Sequence, residues 1–219
     1  MRMCIVGNGP SACGKGDEID ACDFVVRMSG WWRSGPGDSG RRLDAYAWFG
    51  AQEQCEVPEE YAFSAFEHWM TLPVQRCWPH TTPTGVQHGG QWSNVAEKAT
   101  LRPIRWVTQA MWNHELAMLT LLSKTKTPEA PPSTGFTAVD MAIHLYQPTE
   151  ILLYGFDATT KDRDGWSDNN PQWTDNGPHD LHLEKQLIHK LAAEGVWING
   201  PCGVKVTWPD DPIAREEST

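Results

Sequence analysis

One histidine in the C-terminal half of the chain has the neighbours of a catalytic base. His179 follows Pro178 and precedes the helical pattern "LHLEKQLIHKL", so it stands at or beside a helix N-terminus. The helix dipole disfavours the imidazolium form there and leaves a ring nitrogen free to accept a proton. The pattern predicts a general base. A capping or solvent-facing histidine is the alternative, because a base must also reach its proton.

A second segment, "PPSTGF" at residues 131–136, opens another helical pattern with two hydroxyls and a glycine. Free backbone N–H groups and the positive end of the helix dipole make such a position suited to an anion. Ser133, Thr134 and Gly135 therefore predict a site for a phosphate or a carboxylate. An ordinary N-cap is the alternative, since Ser and Thr begin many helices.

A third segment, "GNGPSACG", follows the first apolar run of the chain. Gly7 and Gly9 let a backbone approach a ligand closely, and the Asn8 amide can both donate and accept a hydrogen bond. The glycine spacing differs from that of dinucleotide-binding and P-loop motifs. A plain turn is thus an alternative to a ligand-binding loop.

Two further patterns have the composition of metal sites. Asp162 and Asp164 form an Asp-x-Asp pair in a polar loop, and His179 and His182 form an H-x-x-H pair. We interpret the acidic pair as solvated, and no third ligand at helical spacing accompanies the histidines. The sequence predicts no metal site and no cofactor.

Alternating strands and helices must position these segments. We predict strands at "RMCIV", "DFVVRMS", "AYAWFG", "IRWVTQ" and "EILLYGFD", with a loop or short helix at "GDEIDAC". We predict helices near "PEEYAFSAFEHWM" and at "MWNHELAMLTLLSK", "FTAVDMAIHLY" and "HDLHLEKQLIHKLAAEG". This alternation implies an α/β fold with a parallel sheet, in which ligands bind outside the carboxyl ends of the strands.

Length and composition favour one domain over residues 1–219, with residues 210–219 as a flexible tail. A net charge of -10 disfavours polymeric nucleic acid as a partner. No apolar run has the length that a membrane span needs. The six scattered cysteines suggest reduced thiols, and we expect a cytoplasmic protein.

Taken in order, the three segments resemble the motifs of the eukaryotic-type sialyltransferases, glycosyltransferase family 29. The family's long motif is similar to "IVGNGPSACGKGDEIDACDFVVRMS", its short motif to "PSTGFTAVDMAIHLYQPTEILLYGFD", and its last motif to His179 followed five residues later by Glu184. The long-motif matches are Gly7, Asn8, Glu18, Ile19, Asp20, Asp23, Val25 and Arg27. We recognise no family motif in residues 51–100.

The resemblance implies a single Rossmann-like domain of the metal-independent GT-A variant. It also implies a CMP-sugar donor, usually CMP-sialic acid, an acceptor hydroxyl and inversion at the anomeric carbon. His179 would be the base, with Arg27 and Glu184 in supporting roles. The donor-binding residues would be Gly7, Asn8, Gly9, Ser29, Ser133, Thr134 and Gly135.

The chain departs from the family pattern at several positions. The family's paired cysteines fall on Met3 and Tyr146, so that disulfide cannot form. Ser29 stands where an asparagine is usual, and Gly165 and Trp166 lie near the place of a second histidine that often assists the departing phosphate. These departures keep two alternatives open, an inactive nucleotide-binding module on the same scaffold and a CMP-Kdo-type transferase.

The acceptor is a glycan or another hydroxyl compound that the sequence does not specify. Trp69, Trp78, Trp92 and Trp106 could stack on sugar rings or pack in the core.

Overall fold

The computed structural model describes residues 1–28, 39–48, 65–71, 103–122, 132–156, 181–194 and 204–209. The strands are β1 (Arg2–Val6), β2 (Phe24–Met28), β3 (Ala45–Trp48), β4 (Glu67–Met70), β5 (Ile104–Trp106), β6 (Glu150–Tyr154) and β7 (Lys205–Thr207). The helices are α1 (Gly16–Asp20), α2 (Gln109–Leu122), α3 (Thr134–Tyr146) and α4 (Leu181–Glu194).

The seven strands of the described residues form one sheet, in the order β5-β4-β3-β2-β1-β6-β7. Every pairing between them is parallel. The chain adds strands outward from β1 to β5 and then returns to place β6 on the other side of β1. The strand order therefore reverses between β1 and β6, and the crevice at such a reversal is where open α/β sheets bind ligands. The α/β fold with a parallel sheet is confirmed.

The central strands are apolar on both faces because helices cover both sides of the sheet. Alternate residues such as Met3 and Ile5 enter the larger core together with apolar residues of α2, α3 and α4. The intervening residues, such as Cys4 and Val6, enter a smaller core with Ile19 of α1. This two-sided burial explains why "RMCIV" and "EILLY" read as continuous apolar runs.

Helix α3 begins and ends at positions that its sequence signals. Ser133 is the N-cap, and its side-chain oxygen accepts a hydrogen bond from the backbone N–H of Phe136. Gln147 ends the helix in the left-handed conformation, at φ 45°. The predicted stripe of Phe136, Val139 and Ile143 is fully buried. On α4 the predicted core face is confirmed, since Leu187, Ile188 and Leu191 are buried and Leu183 packs against the core.

One predicted helix is wrong, and one strand was not predicted. The helix predicted near "PEEYAFSAFEHWM" is wrong at its C-terminal end, where Glu67–Met70 form β4. Short strands carry too few residues to show a period, and here tertiary pairing with β3 and β5 overrides the helical pattern. The edge strand Lys205–Thr207 was not predicted for the same reason.

Candidate active site

The loop after β1 is fixed against the end of β6, at the point where the strand order reverses. The backbone N–H of Gly7 donates to the carbonyl of Tyr154 at 2.7 Å. A Cβ on Gly7 would lie 2.2 Å from the carbonyl oxygen of Gly155, and Gly155 itself has φ +71°. The first glycine of "GNGPS" thus permits close packing of two backbones within the chain.

The rest of this loop is held in the same way. The Gly9 N–H donates to the Gly155 carbonyl at 3.0 Å, and the Gly155 N–H donates to the Ser11 hydroxyl at 2.9 Å. The loop that carries Asn8 and the segment after β6 therefore form one rigid edge of the crevice.

A buried carboxylate of α4 holds the N-terminus of α3. The backbone N–H and the hydroxyl of Ser133 donate to the two carboxylate oxygens of Glu184, at 2.7 and 2.5 Å. The Ser133 oxygen also accepts from the Phe136 N–H at 3.2 Å. Because a serine hydroxyl has one proton, Ser133 has no donor left for an anionic ligand.

The following two residues keep their donors. Among the residues that the structure describes, nothing accepts from the backbone N–H groups of Thr134 and Gly135, as is usual in the first turn of a helix. The Thr134 hydroxyl lies 3.4 Å from that of Thr71, which also donates to the Trp48 carbonyl at 3.1 Å. Thr71 follows β4, so the start of α3 lies at the carboxyl edge of the sheet.

Phe156 connects the two halves of the crevice. Its ring would meet a Cβ on Gly7 at 3.5 Å and a Cβ on Gly135 at 3.2 Å. The ring also makes an edge contact with Trp208, at 6.5 Å between centroids. The structure thus brings the predicted "GNG" and "STG" segments together around one aromatic side chain.

Arg27 lies in β2 and is fully buried. Its guanidinium donates to the carbonyls of Arg42 and Ser39, each at 2.8 Å, and lies 3.6 Å from the Asp20 carboxylate. Asp20 in turn accepts from the backbone N–H groups of Arg41 and Arg42. Arg27 therefore holds residues 39–42 against α1.

Several predicted residues lie outside the described part of the chain. These are Ser29, His179, Asp162, Asp164, Trp78 and Trp92. Helix α4 begins at Leu181, two residues after His179, and Glu184 ties the first turn of α4 to Ser133. Trp69 is fully buried and stacks on Tyr146 and Phe24, so it is a packing residue.

Comparison with protein families decides the identity of the chain. The model of glycosyltransferase family 29 (sialyltransferase) matches residues 80–196, more than half of the sequence. The chain belongs to glycosyltransferase family 29. It is therefore a sialyltransferase-like glycosyltransferase, and membership implies a nucleotide-sugar donor and a glycan acceptor. The matched span contains the "PSTG" segment and His179, whereas the "GNGPS" loop lies before it.

Two solved structures share the fold of this family 29 chain. One is the crystal structure of a mammalian sialyltransferase, with a TM-score of 0.55 and 19% sequence identity over 94% of this chain and 68% of that chain. The other is a mammalian sialyltransferase in complex with Gal-beta-1-3GalNAc-ortho-nitrophenol, with a TM-score of 0.54, the same identity and the same coverage. No curated protein matches the chain in sequence.

Within the described ranges of this glycosyltransferase, no helix has the length and apolar character to cross a bilayer. The same ranges contain no group of three or more His, Cys, Asp or Glu side chains that could hold a metal ion.

Sequence reasoning missed Thr71, Phe156 and Glu115, which contact the candidate site or the helix that forms it. Thr71 follows a strand, β4, that the sequence pattern predicts as helix, so its place at the sheet edge was hidden. Phe156 directly follows an apolar strand and a glycine, and that position was the available signal. Glu115 is buried in α2. Acidic residues are almost never fully buried without a partner, so an acidic residue on the apolar face of a predicted helix was the available signal.

Proposed function

We propose that this chain is an inverting glycosyltransferase that moves sialic acid, or a related keto-sugar, from a CMP-sugar donor to an acceptor hydroxyl. One observation carries the proposal. The start of α3 presents the N–H groups of Thr134 and Gly135 at the crevice where the loops after β1 and β6 meet. Both the phosphate and the sugar carboxylate of such a donor are anions that a helix N-terminus stabilises.

Donor binding is divided between the two sides of the crevice. Thr134 and Gly135 receive the anionic groups, and Ser133 contributes by holding the helix start against Glu184. Asn8 and Gly9, on the fixed edge beside Gly155, meet the ribose or phosphate of the nucleotide. Ser29, after β2, completes this nucleotide side in the proposal. Gly7 acts through packing, which places Asn8 correctly.

His179 is the general base of the proposed reaction. The contact between Glu184 and Ser133 brings the first turn of α4 to the start of α3. His179 precedes that turn by two residues, which supports a position near the donor's reacting carbon. Its ring nitrogen takes the proton of the acceptor hydroxyl as the acceptor oxygen bonds to the anomeric carbon. The bond from that carbon to the phosphate oxygen breaks, and CMP leaves with the electron pair.

Fixed backbone donors stabilise the charge that develops on the departing CMP, so we propose turnover without a divalent cation and without a cofactor. A single GT-A-like domain and a cytoplasmic location are part of the same proposal. The free thiols of the buried residues Cys4 and Cys22 support a reducing compartment.

The proposal specifies the acceptor only as the hydroxyl group of a glycan. The shared fold with a sialyltransferase that holds a Gal-beta-1-3GalNAc derivative supports a saccharide hydroxyl as the acceptor.

The direct test is the hydrolysis of CMP-sialic acid by the purified protein without an acceptor, in EDTA and with added Mg²⁺ or Mn²⁺. We expect CMP release that EDTA does not reduce, and transfer when a galactose-terminated acceptor is added. Release that depends on Mg²⁺ or Mn²⁺ would contradict the metal-free mechanism and direct attention to Asp162 and Asp164. CMP binding without any hydrolysis would support the alternative of an inactive nucleotide-binding module, which the replacement of the second histidine near Trp166 favours.

A further inference from the structure

One aromatic ring lies between the two segments to which the donor is assigned. The Cδ2 atom of Phe156 lies 3.5 Å from the position that a Cβ on Gly7 would occupy, and its Cε1 atom lies 3.2 Å from the corresponding position on Gly135. Cδ2 and Cε1 are opposite corners of a phenyl ring. The ring therefore fills the space between the loop after β1 and the start of α3.

The backbone of Phe156 belongs to the loop side of this arrangement. The preceding residue, Gly155, accepts from the Gly9 N–H at 3.0 Å and donates to the Ser11 hydroxyl at 2.9 Å. At the end of β7, the buried side chain of Trp208 makes an edge contact with the Phe156 ring. Because its backbone is held by the loop and its ring by Trp208, Phe156 presents a fixed edge to α3.

Gly135 has no backbone reason to be a glycine. It lies in the first turn of α3, and positive φ among the described glycines occurs at Gly14, Gly40 and Gly155 but not at Gly135. Alanine fits a helical backbone and stabilises it relative to glycine. A side chain at this position would instead meet the Phe156 ring, since 3.2 Å between carbon atoms is closer than ordinary packing. The glycine therefore leaves room for the ring.

We propose that Phe156 is a positioning residue that sets the separation between the two donor-binding segments, with its ring as the spacer between the backbones of Gly7 and Gly135. The inference rests on the proposed function, because it takes the donor to contact both the loop after β1 and the start of α3. A nucleotide that spans two sets of hydrogen-bond donors binds well only at one separation, since hydrogen bonds weaken outside their normal distance.

Phe156→Leu tests the spacer, because leucine separates the two contacts. Leucine keeps the δ-carbons that face Gly7 but lacks the Cε1 and Cζ atoms that face Gly135. We expect the variant to bind CMP about 2- to 30-fold more weakly than the parent in calorimetric titration. A raised KM for the donor with an unchanged kcat is the matching kinetic result. CMP affinity equal to that of the parent in a folded Phe156→Leu protein would overturn the positioning role.

Phe24→Leu is the matched control for a loss of packing. Phe24 is also a partly buried phenylalanine that packs against the larger core, and its ring contacts those of Trp69 and Tyr146. It begins β2, at the edge of the sheet opposite the crevice. The variant should lose stability in urea unfolding but keep the parent's affinity for CMP. An equal loss of CMP affinity in Phe24→Leu and Phe156→Leu would reveal general destabilisation and overturn the positioning role.

A double-mutant cycle with Gly135→Ala tests the contact itself. In the parent, the added Cβ meets the ring, so we expect CMP binding to weaken by about 2- to 30-fold and the folding equilibrium constant to fall. In the Phe156→Leu background the ring atoms are gone. There, Gly135→Ala should weaken CMP binding at least about twofold less and should not lower the folding equilibrium constant.

Equal effects of Gly135→Ala in the two backgrounds would overturn the spacer and show that the glycine serves the close approach of the ligand itself. If the parent does not bind CMP, the donor assignment fails and the positioning role fails with it. The cycle measured by urea unfolding still decides the contact between the Phe156 ring and Gly135 in that case, so the two failures are distinguishable.

Discussion

Neighbouring residues of the short motif have different hydrogen-bond partners, although their side chains are chemically similar. Ser133 and Thr134 are both hydroxyl residues at a helix start, and the sequence predicts an anion ligand at each. The structure commits both donors of Ser133 to Glu184, whereas no acceptor for the Thr134 N–H lies among the described residues. Motif spacing identified the position, whereas the distant partner on α4 could only be found in three dimensions.

At the same scale, His179→Ala tests the base. Removal of a positioned general base costs a factor of about 100 to 10,000 in rate, so we expect kcat for transfer to fall by that amount. CMP affinity should stay within about threefold, because the base acts on the acceptor proton and not on the nucleotide. Turnover of CMP-sialic acid and CMP titration measure the two effects.

His182→Ala is the control for this change. His182 lies in the first turn of α4 and has no assigned role, so the variant should keep nearly full activity. A fully active His179→Ala enzyme would rule out His179 as the base. Loss of CMP binding in step with activity would instead make His179 a phosphate ligand.

At the scale of elements, long apolar and amphipathic segments were predictable and short ones were not. Burial on both faces produces the continuous apolar runs of β1 and β6, and the 3.6-residue period marks α2, α3 and α4. Strands β4 and β7 have four and three residues, and their pairing with distant neighbours decides their conformation. The crevice itself was predictable, since parallel strands place their following loops at one edge.

Gly7→Ala tests the contact between the ends of β1 and β6. A Cβ at 2.2 Å from the Gly155 oxygen meets backbone that cannot move without breaking the sheet. We expect a loss of about 3 kcal/mol in the free energy of unfolding, together with weaker CMP binding. Urea unfolding measures the first effect.

Gly14→Ala is the comparison, because Gly14 has φ +72° and a Cβ added there would meet nothing within 4 Å among the described residues. It should cost only the left-handed strain, about 1 kcal/mol. Equal losses in the two variants would show that the close approach of Gly7 and Gly155 does not limit stability.

The aromatic group around Tyr146 connects the end of α3 to the sheet where the family pattern has a cysteine. Tyr146 lies 5.1 Å from Phe24 and 5.5 Å from Trp69 between ring centroids, and its hydroxyl donates to Glu67. We expect Tyr146→Ala to lower the free energy of unfolding by about 2–3 kcal/mol, less than for a fully buried aromatic residue.

Leu145→Ala changes the neighbouring position, which is 42% exposed, and should cost no more than about 0.5 kcal/mol. Thermal unfolding of both variants compares them. A Tyr146→Ala protein as stable as Leu145→Ala would contradict a structural role for this aromatic group.

At the scale of the whole molecule, one parallel sheet brings residues from both ends of the chain to one crevice. The loop after β1, the start of α3 and the segment after β6 meet there, although nearly 150 residues separate Gly7 from Gly155. A net charge of -10 disfavours non-specific binding of anions, so binding of a nucleotide must depend on this local arrangement of donors.

The most direct test of the account is the melting temperature of the parent protein as a function of CMP concentration, with UDP, GDP and NAD as comparisons. A ligand that binds only the folded state stabilises it, so CMP about 100-fold above its Kd should raise the melting temperature by about 5–10 °C. NAD should produce no shift, and UDP and GDP should produce smaller shifts than CMP. An unchanged melting temperature at millimolar CMP, or a larger shift with another nucleotide, would contradict the assignment of a CMP-sugar donor.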